Sequence, residues 1–543
     1  MNAAFAGTPR LIRLALRRDR ILLPAWIVSI TGIAAAVIAS IGAFYTDQAE
    51  RLSGAAFDAA SPMSRMFDGP ASGTELGAMT MVEAYLVLGI LVALMSAQAV
   101  VRHTRQDEET GRAELIGSSV VGRHARLAAA MAVALGTNLV LWAAVTGVLL
   151  AGGFPVGGSF AAGLSLAGTG WAFAGIAAIT AQIFSTARAA NSAAGGLVGV
   201  AFLLRAVGDL FGEVAPSGVE LISSWPSWLS PLGWGQQVRP FHQNNWDVSL
   251  LFLGLTVVTL VVAFWLTSHR DVGSGMVPTR PGPARAPRSL RSGLGLAWRL
   301  QRGILLTWAT GLVVMSVAFS SVAESVDEVI SENEQFRRLL ELASPGAGVV
   351  ELYFTFVVAF VAVAAGGYMV QALLRMRSEE ATGRLEPVLA TALGRHRWLT
   401  GHTMIATAGV VGILALSGLS GGATYGAMTG DWSGTGALVG AATAQACAVL
   451  ALGGFVVAVF ALLPRWSGAI AWAALAASLV MGQLGAILEL PQWVLNLSPF
   501  THVPALPAEA FAATPVLILL AAALAFGALG FAAFRRRDLA ISA

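Results

Sequence analysis

Asp107-Glu108-Glu109-Thr110-Gly111-Arg112-Ala113-Glu114-Leu115 and Glu379-Glu380-Ala381-Thr382-Gly383-Arg384-Leu385-Glu386 stand 272 residues apart and follow one pattern: acids, Thr-Gly-Arg, then another acid. Gly122-Arg123-His124 and Gly394-Arg395-His396 keep the same offset. Carboxylates and guanidinium groups at this density make charge-assisted hydrogen bonds, and a glycine among them permits a tight turn or the close approach of another backbone. This is the chemistry of docking rather than of bond breaking. The acids at the front suit a helix N-terminus, where the macrodipole favours negative charge. Leu115 with Ile116, and Val388 with Leu389, supply apolar groups that fit a partner's groove. Elsewhere the chain offers little reactive chemistry. All 33 basic residues are arginine, which removes the lysine that a phosphate-binding P-loop needs. Cys447 is the sole cysteine, so no intrachain disulfide forms. The seven histidines show no metal-ligand spacing, and no Ser, His and Asp fall together as a triad. The expectation is that the chain binds no cofactor or metal of its own.

These loops need elements to hold them. The chain is 56% hydrophobic and 12% charged, with a mean hydropathy of +0.72, against roughly 25% charged residues in a soluble domain. It reads as a polytopic membrane protein. Twelve apolar stretches of about the 20 residues a span requires lie near 21–44, 81–101, 127–151, 160–184, 191–210, 247–267, 303–323, 349–373, 402–425, 436–461, 468–489 and 512–534. The first is longer than a signal-peptide core, so it reads as a span rather than a cleaved leader. Of the 33 arginines, 27 fall on one side, which places both termini and both repeated loops in the cytoplasm. The basic balance therefore reports topology, and no nucleic-acid partner is expected.

The repeat extends beyond the loops. Arg20–Trp26 resembles Arg302–Trp308, and Ser230-Pro231 resembles Ser498-Pro499. Two six-span halves, 1–267 and 301–543, then share one orientation about an axis along the membrane normal. Residues 268–300, with Pro278, Pro281, Pro283 and Pro287, read as a flexible cytoplasmic link. Short amphipathic helices precede spans one and seven, as where Leu11, Ile12, Leu14 and Leu16 alternate with Arg10, Arg13, Arg17 and Arg18. Segments 45–80 and 324–348 are long enough for small outer helices, and the second is acidic. Charged residues at a span centre cost about 2.5–3.5 kcal/mol; Glu83, Arg205, Asp209, Glu351 and Glu489 all sit near outer ends. Arg205 and Asp209 are four apart and pair on one helix face, where an outer gate would stand. Leu416-Ser417-Gly418-Leu419-Ser420-Gly421-Gly422 has the look of an ATPase signature, but it lies inside a span and suits helix packing.

With these residues in hand, the layout resembles the permease subunit of ATP-binding-cassette exporters of the type-2 superfamily, in the fused twelve-span form of actinobacterial tetronasin or polyketide-antibiotic exporters. In that family the loop between spans two and three carries Glu, Gly and Leu in a coupling helix that docks on the ATPase. The positions that match are Asp107, Glu108, Glu109, Thr110, Gly111, Arg112, Glu114 and Leu115, and Glu379, Glu380, Thr382, Gly383, Arg384 and Glu386. Pro387 departs from the pattern, standing where the first loop has Leu115. The resemblance implies an all-α polytopic protein of twelve transmembrane helices in two parallel repeats, with interfacial connecting helices and cytoplasmic coupling helices. It implies two ATPase subunits as partners, with ATP and Mg held there, and a bacterial plasma-membrane location. It also implies that spans two and five of each half line a path for a small hydrophobic or amphipathic compound. Their large side chains include Tyr85, Phe202, Phe354, Phe356, Phe360 and Met481. The competing expectation is a proton-coupled transporter of the major facilitator type. Against it, the acids precede Gly-Arg here, and no acid stands at a clear span midpoint.

Overall fold

A computed structural model of the chain describes residues 3–277, 282, 284–321, 323, 348–484 and 491–539. It divides into two compact units, Met1–Gly282 and Pro283–Ala543.

The first unit opens with α1 (Thr8–Arg18), an amphipathic helix that packs on the helix Ala125–Ala151, and then α2 (Leu22–Phe44). Two short helices follow, α3 (Gln48–Ala60) and α4 (Pro62–Phe67). Asp47 and Glu50 form a capping box that starts α3, and Ser61 caps α4 ahead of Pro62, each satisfying amide groups the helix leaves open. The long helices are α5 (Leu76–His103), α8 (Ala125–Ala151), α9 (Val156–Ile183), α10 (Ala187–Leu210) and α12 (Ser249–Ser268). Between α5 and α8 lie α6 (Arg105–Glu109) and α7 (Arg112–Gly117). Between α10 and α12 come a two-stranded hairpin, β1 (Glu213–Val214) with β2 (Leu221–Ile222), and α11 (Pro231–Gln237). Helix α9 is the centre, packed by α5, α8 and α12. Its small residues let neighbours in: a Cβ on Gly168 would lie 2.4 Å from the Phe252 ring, and one on Gly175 2.0 Å from the Thr259 hydroxyl. Close helix approach through small side chains is the usual solution where lipid offers no hydrophobic drive between helices.

The second unit contains α13 (Gly293–Ser320), α14 (Val349–Ala381), α15 (Leu385–Leu389), α16 (Arg395–Thr429), α17 (Thr435–Ala444), α18 (Ala446–Leu462), α19 (Ser467–Leu479), α20 (Gln492–Leu495) and α21 (Ala513–Arg536). Helix α18 is its centre, against α14 and α21. The serine-glycine stretch of α16 serves packing: a Cβ on Gly418 would meet the Leu438 carbonyl at 2.7 Å, and one on Gly421 the Ser320 hydroxyl at 2.8 Å.

The all-α polytopic expectation holds, with differences. Among the described residues eleven helices, not twelve, are long and apolar enough to cross a membrane. The stretch expected at 468–489 is an apolar helix over Ser467–Gly482 with π-helical Val480–Leu484 at the edge of the described residues. Residues 485–490, Glu489 among them, lie outside the described residues, as does 324–347, which holds nearly all of the expected acidic outer segment. Among the described residues, no separate amphipathic helix precedes α13. A 3-10 turn at Arg288–Arg291 leads straight into a 28-residue helix that starts at Gly293. The reason lies at matched positions. In the first unit Asp19 leaves the helical path after α1 and takes Arg102 at 2.9 Å and His103 at 2.6 Å. In the second, Gln301 stays helical and donates to His402 Nδ1 at 3.0 Å. The link after α12 is tied rather than free at its start, because Met276 and Val277 donate to the Gln182 and Ile183 carbonyls.

Candidate partner-docking site

Both repeated loops fold alike. Helix α14 runs unbroken to Ala381, and α5 with α6 reaches the matched residue Glu109 after one break at Thr104. The threonine that follows turns its hydroxyl back to a carbonyl four residues earlier, Thr110 to Gln106 at 2.9 Å and Thr382 to Ser378 at 2.8 Å. The glycine then adopts a left-handed conformation, φ +73° at Gly111 and +71° at Gly383, with open space where a Cβ would stand. Glycine is needed there for its backbone, not for room. A short helix, α7 or α15, completes each loop.

Glu114 and Glu386 stand in the first turn of the second helix, whereas the leading acids Asp107, Glu108, Glu109, Glu379 and Glu380 lie at the end of the helix before it. That is the end where the macrodipole disfavours them, and arginines offset it. Asp107 takes Arg18 at 2.5 Å and Arg112 at 3.8 Å. Glu108, its side chain 4% exposed, is reached by Arg105 at 2.9 Å, Arg270 at 2.7 Å and Arg126 at 3.7 Å. Glu379 pairs with Arg375 at 2.7 Å and Arg384 at 4.0 Å. Glu380, fully buried, accepts from Arg537 at 2.6 and 2.8 Å. Glu109 is exposed and accepts from the Ala187 amide at 2.9 Å, at the start of α10. What remains on the surface is Thr110, Arg112, Glu114 and Leu115 in one loop, and Thr382, Arg384, Glu386 and Pro387 in the other. Leu115 is 77% exposed, whereas Val388 and Leu389 are half-buried against their own core. So the expected apolar pair faces outward only in part, and only in the first unit.

Sequence reasoning treated Arg123, Arg270, Arg395 and Arg537 as topology signals and missed their contacts. The shared offset of Arg123 and Arg395 was visible; the arginine just past the last helix of each half was the further clue.

The side chains expected along a path are placed within each unit as follows. Tyr85 is buried, with its hydroxyl 2.6 Å from Thr169 Oγ1. Phe202 is half-buried, facing Phe67 at 6.5 Å. Phe354 is buried, edge-on to Tyr425 at 5.4 Å, while Phe356 is 55% exposed. Phe360 meets Phe319 at 6.2 Å, and Met481 lies in the π-helical turn. Arg205 and Asp209 pair at 3.5 Å with both side chains fully buried. Arg205 also donates to the Met66 carbonyl and to Gln236 Oε1, so it ties α10 to α4 and α11.

The family model for the C-terminal domain of the multidrug efflux system permease Rv1217c matches residues 10–266 and 290–535. The multidrug efflux system permease protein Rv1217c of Mycobacterium tuberculosis is 38% identical over 539 residues, covering 99% of this chain and 96% of that protein. By both matches, the chain belongs to the Rv1217c family of multidrug efflux system permeases.

Proposed function

We propose that this chain is the membrane-spanning subunit of an ATP-driven exporter of hydrophobic or amphipathic compounds, drugs or polyketide antibiotics, energised by two separate ATP-binding-cassette ATPases. One ATPase docks on each repeated loop, with both loops and both termini in the cytoplasm. The exposed faces are Glu109, Thr110, Arg112, Glu114 and Leu115 in the first unit and Thr382, Arg384, Glu386 and Pro387 in the second. ATP and Mg sit in the partner, and this chain supplies no nucleotide site. Each loop passes its ATPase's movement into its own unit.

The single observation that carries this reading is the pair of loops with one geometry: a helix end rich in acids, a threonine turn, a left-handed glycine and a short exposed helix. Solvated connections have no cause to share so specific a shape at matched positions. The test is the native mass of the detergent-purified chain, co-expressed with the ATPase encoded beside it. One permease with two ATPases is the expected result. Purification of the permease alone, with that ATPase expressed and folded, and export that follows the proton gradient would overturn the reading in favour of a proton-coupled transporter.

A further inference from the structure

In each unit the last long helix and the repeated loop hold one another by two reciprocal links. The first runs from the loop to the helix. Arg123 donates to the Thr267 and Arg270 carbonyls at 3.1 Å each, at the end of α12. Arg395 donates to the Phe534, Arg535 and Arg537 carbonyls at 3.4, 3.5 and 2.7 Å, at the end of α21. Carbonyls at a helix end have no partners within the helix, and a cation there also suits the macrodipole. The second link runs back. Arg270 places both terminal nitrogens on Glu108 at 2.7 and 2.9 Å, and Arg537 does so on Glu380 at 2.6 and 2.8 Å. Two-pronged guanidinium–carboxylate pairs fix geometry as well as supplying energy. An aromatic contact completes each set: His124 lies 5.4 Å from Phe264, and His396 stacks on Phe531 at 6.2 Å.

The correspondence is positional. Arg123 and Arg395, like Glu108 and Glu380, are 272 residues apart; Arg270 and Arg537, like Phe264 and Phe531, are 267 apart. Anchoring an arginine to the membrane surface needs no such partners. A bidentate pair with side chains no more than 15% exposed joins two segments that are over 150 residues apart in the chain, at the surface of the bundle.

We infer that Arg270 and Arg537 are positioning residues that latch the last long helix of each unit to the repeated loop, so that a push on the loop moves that helix as well as the two helices the loop connects. This rests on the reading of the loops as ATPase docking surfaces. Without the latch, the last helix would stay joined to the loop only through the Arg123 or Arg395 contacts with carbonyls at its end.

The test labels the second unit. Spin labels on Ser378→Cys and Ala532→Cys, in a Cys447→Ala background and with the partner ATPase bound, report the separation of loop and α21 by dipolar EPR. In the otherwise native protein one narrow distance is expected, unchanged when the complex is trapped with ATP and vanadate. Arg537→Gln should retain the ATPase but show a shifted or broadened distance on trapping. The swap Glu380→Arg with Arg537→Glu should restore the narrow distance, which a role in stability alone would not predict. If Arg537→Gln fails to reach the membrane, Arg537→Lys, which keeps the charge and loses the fork, carries the same expectation. An unchanged distance in those variants, or a distance that changes on trapping with the latch intact, overturns the latch while docking stands. Failure of the ATPase to bind the native chain overturns both.

Discussion

The loop faces of the two units share their latch and differ in what surrounds it. In the first unit the amphipathic α1 is a separate element, bound to the loop by Arg18 and Asp107 and closed at its end by Asp19 with Arg102 and His103. The residues before α1 are strapped on as well: the Gly122 and His124 amides donate to the Ala6 and Ala4 carbonyls, each at 2.9 Å. In the second unit the matched stretch is the start of α13 itself, and a neutral Gln301–His402 pair replaces the buried charge of Asp19. The exposed tip changes too, from Leu115 to Pro387. The lesson is that a duplicated surface keeps its buried arginine–carboxylate link and varies what surrounds it. Glu108–Arg270 and Glu380–Arg537 are the same device, while the surroundings make one loop braced and the other lightly held.

Removing the shared carboxylate breaks that comparison most sharply. Glu108→Ala and Glu380→Ala each delete one partner of a buried ion pair, a change that costs about 3–5 kcal/mol. The two should not be equal. Loss of Glu108 leaves Arg105, Arg126 and Arg270 facing one another without their shared carboxylate, whereas Arg537 is 15% exposed and rests on the Phe460 and Phe534 rings at 5.1 Å. Thermal unfolding in detergent should show Glu108→Ala as the more damaging. Equal losses would mean that the surrounding arginines carry no weight.

A second contrast lies within the first unit, between its two ends. The carboxylates of the loop face are met by arginines, but Asp58 and Asp68, beside the short helices at the other end, are not so compensated. Burial, then the negative charge of Glu83, pushes each up to about 7. These folded values lie above the unfolded one, so the protonated form is the better-tolerated one. The stability they allow is complete below the ordinary carboxylate range, near pH 4, and is lost as pH rises through about 7. Each tenfold difference in proton affinity between the folded and unfolded chain is worth at most about 1.4 kcal/mol. The melting temperature should therefore be higher at pH 5.5 than at pH 8, and Asp58→Asn with Asp68→Asn should flatten that dependence. A profile that is unchanged in the double variant would show that the two carboxyls do not titrate in this window.

Much of this architecture was legible. Hydropathy gave the long helices to within several residues, and the offset of 272 located both loops before any contact was known. What failed did so for physical reasons. The leading acids of the loops sit at a helix end that their charge alone disfavours, because Arg270 and Arg537 arrive from over 150 residues away; sequence reasoning near the acids has no view of them. Tyr85 stands out in the sequence by size alone; the space it fills beside Gly235, where a Cβ would lie 1.7 Å from its hydroxyl, is set by a contact from 150 residues away.

The smallest effect tests how braced the first loop is. Gly122 and Gly394 are matched residues with opposite surroundings. A Cβ on Gly122 would stand 2.2 Å from the Ala4 carbonyl oxygen, while one on Gly394 meets nothing within 4 Å. Overpacking against backbone costs about 1–3 kcal/mol, and a strap held by two amide hydrogen bonds yields at the low end of that range. Gly122→Ala should release residues 3–7 and speed exchange of the amides at position 122 and His124, with a loss of about 1 kcal/mol. Gly394→Ala should leave the exchange of its loop unchanged, because its backbone is already extended (φ −69°, ψ 153°) and open to a methyl group. Equal responses would mean that the strap does not brace the loop, and that the two loop faces differ in outline but not in stiffness.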